Sequence, residues 1–317
     1  MSGRVERLAI IGQGLIGSSI TRAVHARKAA REIAVTDASE KVRQRVVELG
    51  IGAARVVATA AEAVRDADLV ILCVPVSQMG KAAAEIAAAM KPGAILSDVG
   101  SVKAAVVAGI LPHLRPDNFL VPAHPLAGTE FSGPDAGLPK LFVNRWCILT
   151  PPEGIEAAAV ERVKLFWEAL GSQVAVMSPQ QHDEVLAITS HLPQLIAFAI
   201  FHTGLRQEEA TRSEVIKFSA GGFRDFTRIA GSNPALWRDI FLANKGPVLK
   251  VLRQFVADID ACAVAIENGD GATLEKLFST SRSTRRKVID KDHISLKPDA
   301  DEGDGPDLLI RPYASND

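Results

Sequence analysis

The tightest constraint on this chain lies within its first twenty-five residues. The apolar run Leu8-Ala9-Ile10-Ile11 passes directly into Gly12-Gln13-Gly14-Leu15-Ile16-Gly17 and then into the helix-compatible Ser18-Ser19-Ile20-Thr21-Arg22-Ala23. A strand that turns sharply into a helix leaves free N–H groups at the helix start, which seat a phosphate. In such a turn Gly12 permits the reversal, Gly14 lets the backbone approach a pyrophosphate, and Gly17 allows close helix–strand packing. The next β-rich run, Ile33 to Thr36, ends in Asp37, twenty residues after Gly17. A carboxylate there accepts hydrogen bonds from both ribose hydroxyls. The joint pattern predicts a dinucleotide site formed by Gly12, Gln13, Gly14, Leu15, Ile16, Gly17 and Asp37. Asp37 repels a 2′-phosphate, which favours NAD, while Arg43 and Arg45 on the following helix keep NADP open.

From Leu8 onward, short β-rich runs alternate with Ala-rich helical stretches, the pattern of a parallel sheet buried on both faces. Strands are expected near 7–11, 33–36, 69–74, 94–97, 119–121, 146–150 and 173–176, and helices near 16–28, 39–49, 78–90, 102–114 and 156–170. From about Pro179 helical periodicity takes over. The expected organisation is an α/β Rossmann-type dinucleotide-binding domain over 1–178 and an all-α domain over 179–290, followed by an acidic, flexible tail over 291–317. Disorder explains such a tail, and binding to a partner remains the other reading.

Composition narrows the partners. With 36 Lys and Arg against 37 Asp and Glu, the chain has no global basic field for nucleic acid or an anionic membrane. Any ligand must be recognised locally, and the segment 217–250 carries six basic residues against two acidic ones. Cys73, Cys147 and Cys262 form neither a disulfide framework nor a zinc motif, which fits a reducing compartment. The amino terminus lacks the apolar core of a signal peptide. The apolar run Leu192 to Phe201, interrupted by Pro193 and Gln194, is far below the ~20 residues of a membrane helix. A cytoplasmic protein with no membrane association is expected. His182, His191 and His202 are nine and eleven residues apart, too widely spaced for a typical metal pair, so no metal site is predicted.

The chemistry is expected on the carboxyl edge of the sheet, where doubly wound folds bind their ligands. Val74 and Pro75 end the fourth-strand segment and are expected to wall the reactive ring of the cofactor. Two further segments place polar groups just after strands: Ser97-Asp98-Val99-Gly100-Ser101-Val102-Lys103 and Pro122-Ala123-His124-Pro125-Leu126-Ala127-Gly128-Thr129-Glu130. A dehydrogenase that removes a hydroxyl proton needs a base beside the hydride acceptor, and neutral histidine suits that at pH 7. His124, in a loop flanked by Pro125 and Gly128, is the candidate.

At these residues the chain resembles the prephenate/arogenate (cyclohexadienyl) dehydrogenase family of tyrosine biosynthesis. The resemblance rests on GQGLIGSS at 12–19, DVGSVK at 98–103, HPLAGTEFSG at 124–133, SHLPQ at 190–194 and GGFRDFTRIAGSNPALWRDIF at 221–241. It implies that His124 is the base and that Ser101 hydrogen-bonds both the substrate hydroxyl region and the nicotinamide. It also implies that Arg228 binds a substrate carboxylate through its planar fork. Gly221, Gly222, Asp225 and Trp237 match pocket and inter-subunit positions, and Glu130 and His191 border the cleft. Arg228 can also be read as a helix-end cation, and Trp237 as core. Gln194 stands where many members have histidine, and a neutral residue there fits use of both prephenate and arogenate. The resemblance further implies a homodimer through the helical domains; inhibition by tyrosine at the active site is expected because the product shares the substrate's side chain. The alternatives are another two-domain β-hydroxyacid or imine dehydrogenase, or a non-catalytic dinucleotide sensor.

Overall fold

The computed structural model describes residues 4–129, 131–212, 214 and 216–295. The chain divides into two compact units, Met1–Ala257 and Asp258–Asp317. The first opens with β1 (Val5–Ile11), α1 (Leu15–Arg27), β2 (Ala30–Thr36), α2 (Glu40–Glu48), β3 (Arg55–Val56), α3 (Ala60–Val64) and β4 (Leu69–Leu72). It continues through α4 (Met79–Ile86), β5 (Ile95–Asp98), α5 (Ala104–Ile110) and β6 (Phe119–Leu120). The six strands form one parallel sheet in the order β3-β2-β1-β4-β5-β6. Strand periodicity explains why its apolar runs are continuous: Leu8, Ile10, Leu69, Ile71 and Ile95 enter the core on one face, and Ala9, Ile11, Val70, Leu72 and Leu96 that on the other. Connections leave β1 and β4 in opposite directions, so a crevice opens beyond their carboxyl ends. The glycine turn after β1 and Val74-Pro75 after β4 sit there.

The expected strands near 146–150 and 173–176 do form, but outside this sheet. β7 (Ala123–Pro125), β8 (Trp146–Leu149) and β9 (Gln173–Val176) make a separate sheet, with β7 antiparallel to β8 and β8 parallel to β9. His124 therefore lies on a short strand, not in a loop. A helix, α6 (Ala157–Ala169), supplies Phe166 and Trp167 to the same core as Phe142, with ring centroids 5.3 and 5.8 Å from that of Trp167.

Helical structure begins where expected. Ser178 accepts a hydrogen bond from the Gln181 N–H and Pro179 occupies the first turn, an N-terminal signal that starts α7 (Pro179–Leu186). Pro193 has no N–H to give the preceding turn, and the helix widens to a π turn over Ala187–His191 before α8 (Leu192–Thr211). Pro193 and Gln194 thus do not interrupt the helix. The run Pro179–Thr211 is long and apolar enough to cross a membrane by length and composition alone, yet it buries His182, Asp183, His191 and Gln194. Then follow α9 (Gly221–Thr227) and α10 (Pro234–Ala243), the latter capped by the Asn233 side chain. α11 (Lys245–Glu267) contains the boundary between the units. α12 (Gly271–Ser295) runs five residues past the expected end of helix at 290. The tail from 296 lies outside the described residues.

Two glycines of the turn are required for different reasons. Gly12 holds φ at +96°, and a side chain there would meet the Cys73 carbonyl. A Cβ on Gly17 would collide with the Gly12 carbonyl oxygen, whereas one on Gly14 would meet nothing within 4 Å. Gly17→Ala is therefore expected to lower stability by roughly 1–3 kcal/mol. Gly14→Ala should keep the wild-type melting temperature and weaken only dinucleotide binding. Thermal melts paired with dinucleotide titrations check both.

Candidate active site

The glycine turn and Asp37 are already organised for a dinucleotide. The Asp37 carboxylate accepts from the Gln13 N–H (2.8 Å) and the Ser39 N–H (2.9 Å), which fixes it at the end of β2 with lone pairs to spare. The Gln13 side chain turns inward to Gly12 and Thr21. Leu15 and Ile16 open α1, and the open space at Gly14 provides room for a pyrophosphate. Arg43 donates to the Asp37 backbone carbonyl at 2.7 Å, and Arg45 is held by Asp135 and Glu48. These residues fit an unphosphorylated adenosine ribose. Val74 is half-buried and Pro75 exposed at the carboxyl end of β4.

The catalytic candidates gather around a buried ionic node that sequence reasoning did not single out. Asp98 ends β5 and Lys103 precedes α5, and both side chains are fully buried with Nζ 2.5 Å from Oδ2. Burial pushes Asp98 up and Lys103 down, each opposed by the charge of its partner. The same Nζ donates to the Ala123 carbonyl at 2.7 Å, and the Asp98 carboxylate also accepts from Gly100 N–H. Ser101, half-buried between these residues, and His124, next to Ala123, are thereby attached to one anchor.

His124 is buried, and its Nδ1 lies 2.8 Å from Nε2 of His182. His182 Nδ1 lies 2.8 Å from Asp183 Oδ1. The Asp183 carboxylate also accepts from the Lys103 and Ala104 N–H groups at 2.8 and 2.9 Å. Burial drives the pKa of His124 well below 6.5, with further lowering from His182, Lys103 and His191. Burial likewise lowers His182, against the pull of Asp183. The His191 Nδ1 faces the Asn244 amide nitrogen at 3.0 Å, and that nitrogen also donates to the Asp183 carbonyl. Burial takes His191 down to about 4, with Asp183 opposing.

The helical candidates fall into two groups. Gln194 is buried and donates to the Ile229 carbonyl at 2.7 Å, so it joins the turn that begins at Arg228. Trp237 on α10 meets the His191 ring edge-on at 6.1 Å, and Asp239 of the same helix accepts from Ser77 in the loop after β4 at 2.8 Å. Arg228 is exposed and makes no hydrogen bond or ion pair among the described residues. Gly221, Gly222 and Asp225 lie on the exposed first turns of α9, and a Cβ built on either glycine would meet nothing within 4 Å. Glu130 lies outside the described residues. Among the described residues no group of three or more His, Cys, Asp or Glu side chains could hold a metal.

His182 and Asp183 were invisible as functional residues because their partner is 58 positions away. The available signal was their adjacency one turn into a capped helix, which any solvated helix also shows.

Comparison with known proteins identifies the family. The family model described as prephenate dehydrogenase, nucleotide-binding domain, matches residues 20–176, and that of the prephenate dehydrogenase dimerization domain matches 178–280. A cyclohexadienyl dehydrogenase of Zymomonas mobilis is 43% identical over 93% of this chain and 98% of its own length. A prephenate dehydrogenase of Bacillus subtilis is 33% identical over 90% of this chain and 76% of its own. The crystal structure of Aquifex aeolicus prephenate dehydrogenase in complex with hydroxyphenyl propionate and NAD+ superposes with a TM-score of 0.82 at 30% identity, covering 89% of this chain and 98% of that one. The chain belongs to the prephenate dehydrogenase family of oxidoreductases.

Proposed function

We propose that this enzyme oxidatively decarboxylates prephenate and arogenate, with NAD as hydride acceptor, giving 4-hydroxyphenylpyruvate and tyrosine. The observation that carries the reading is His124: a buried neutral imidazole just beyond the carboxyl end of β6, tied through one nitrogen and so left with the other for a substrate. The names of the Zymomonas, Bacillus and Aquifex relatives support the substrate class, and the bound NAD+ of the Aquifex enzyme supports the cofactor. Asp37 favours the unphosphorylated ribose, because Arg45 is paired with Asp135 and Glu48, and Arg43 is held on backbone carbonyls.

NAD, when bound, accepts the hydride from the ring carbon that bears the hydroxyl. In this reading His124 takes the hydroxyl proton through Nε2 as the carbonyl forms, and the ring carboxylate departs as CO2 to leave an aromatic ring. Ser101 holds the hydroxyl and the nicotinamide side by side. Arg228 receives the side-chain carboxylate with a guanidinium that has no partner to give up among the described residues. His191, Gln194 and Trp237 line the far side, with Gly221, Gly222 and Asp225 bordering the entrance. Gln194 both donates and accepts hydrogen bonds without charge, which supports a site that takes a keto acid or an ammonium at the side chain. The exposed apolar residues of the helical segment, Val185, Ile188, Ile200, Leu205, Leu236 and Leu242, supply a surface for a homodimer. Tyrosine shares the product ring and the arogenate side chain, so inhibition at the same site follows. Such an enzyme works in the cytoplasm.

Reduced-cofactor absorbance with prephenate and with arogenate tests the assignment directly. Both should give NADH, and His124→Asn should lower kcat by ~10²–10⁴-fold with little change in the NAD KM. Near-normal turnover in that variant would remove His124 as the base. Arg228→Ala should raise the substrate KM by at least about tenfold, the loss of one charge-assisted contact. An unchanged KM would move the carboxylate contact elsewhere. Because the free-enzyme pKa of the base is depressed, the acid limb of kcat/KM should lie below pH 6.5, with activity held as the pH falls from 8 to 6.5. A limb above 6.5 would contradict a desolvated His124.

A further inference from the structure

Two buried polar groups, His182 and Asp183, stand behind His124. We propose that His182 and Asp183 form a relay that leaves Nε2 of His124 bare to accept the substrate proton, and that His182 then takes up the positive charge created there. The inference rests on the reading of His124 as the base and deepens it.

Asp183 is held by two backbone N–H groups, so it approaches His182 as an acceptor. A carboxylate 2.8 Å from Nδ1 of His182 puts the proton on that nitrogen. In a neutral ring Nε2 then carries a lone pair, and it lies 2.8 Å from Nδ1 of His124. That contact is a hydrogen bond only when His124 carries its proton on Nδ1. Nε2 of His124 is left without a proton, which is the form a general base needs. Two ring orientations and two tautomers thus follow from one anchored carboxylate, by the logic through which a second group fixes a catalytic imidazole elsewhere.

The charge balance gives the relay its second role. The charged and titratable groups facing the two rings are Lys103 at the start of α5, Asp98 at the end of β5, Asp183 on α7, His191 in the π turn and Cys147 on β8. Lys103 and Asp98 offset one another, so Asp183 is the uncompensated charge while the three histidines are neutral. One proton arriving at His124 makes the cluster neutral. In that step the substrate O–H bond breaks, its electron pair enters the new carbonyl as the hydride leaves, and an N–H bond forms at Nε2 of His124. The Nδ1–H bond of His124 breaks as its proton crosses to Nε2 of His182, so the cation comes to rest against Asp183 and His124 is neutral again. As CO2 leaves, the pair from its C–C bond passes through the ring to the carbonyl oxygen, giving a phenoxide; reverse transfer returns the proton to Nδ1 of His124, and the Nε2–H bond breaks to protonate that oxygen, which restores the starting form. His182 and Asp183 touch neither substrate nor cofactor, and act as positioning residues.

Nitrogen-15 NMR of the full-length protein labelled at histidine, near pH 7.5, reads the tautomers directly, with His124→Asn and His182→Asn giving the assignments. The expected spectrum has both rings protonated at Nδ1 and bare at Nε2. A proton on Nε2 of either ring overturns the relay, whereas near-normal turnover in His124→Asn overturns the base itself, so the two failures are distinguishable. Kinetics supply the second arm. The His182→Gln amide reaches the position of Nε2 and can still accept from His124, while that of His182→Asn reaches only the position of Nδ1. The Asn variant should lose ~10²–10³-fold in kcat and the Gln variant about tenfold less, both with the NAD KM within about twofold of wild type. Equal losses in the two variants, tracking their melting temperatures, would reduce His182 to a packing role and overturn the proposal.

Discussion

Lys103 and Asp98 have no exposed surface, and what positions the catalytic face is attached to that pair. Taking two ions out of water costs several kcal/mol each, and only close contact with further hydrogen bonds offsets it. Here the further bonds come from different layers of the fold. Asp98 reaches back to Gly100, Lys103 reaches the Ala123 carbonyl of the small sheet, and the N–H of Lys103 is taken by Asp183 of the helical segment. None of these elements can move away without leaving a charge buried and alone, which costs about 3–5 kcal/mol. A pair that adds little net stability therefore fixes strand, small sheet and helix in one geometry.

The same economy appears in the stretch Pro179–Thr211. One side carries His182, Asp183, His191 and Gln194 inward, and the other exposes Val185, Ile188, Ile200 and Leu205. Pro193 forces the π turn at Ala187–His191, and the wider turn shifts the register between α7 and α8. His182 and Asp183 then face inward toward α5, and Gln194 toward Ile229. Hydropathy alone reads this stretch as a candidate membrane span, because an average over eighteen residues weights the outward face and misses four buried polar groups that have partners in the same unit.

How much of this was legible follows from the range of each interaction. The glycine turn and Asp37 were readable because backbone sterics and a twenty-residue strand–helix–strand unit fix them locally, and most of the strands of the parallel sheet followed from buried apolar runs. β3 is two residues long and β7 three, including a proline, too short to leave a period. β7 consequently passed for a loop even though its His124 was identified from chemistry. Family motifs supplied Ser101, Arg228 and Gln194, whose roles no local pattern carries. Local pattern offers His182 only as a member of a histidine set too widely spaced for a metal pair and gives no reason to single out Asp183, since their meaning depends on a contact across 58 residues and on two N–H groups 79 and 80 residues away.

Charge explains why attraction of the substrate and the chemistry on it are assigned to different places. The excess of basic residues over 217–250 suggests a broad cationic face, yet much of it is internally spent: Lys217 pairs with Glu214, Arg238 with Asp239, and Arg224 bonds Ser219. Arg228 is exposed and makes no hydrogen bond or ion pair among the described residues, which leaves it the cation proposed to meet an anion. The cluster around His124 has the opposite bias, one carboxylate in excess among neutral imidazoles, and a base must have that bias before it takes a proton. Were the cation at Arg228 beside His124 instead, it would depress the basicity of the imidazole further and oppose the charge that forms on it. In the proposed mechanism a cation that draws in the anion therefore belongs away from the imidazole that accepts the proton.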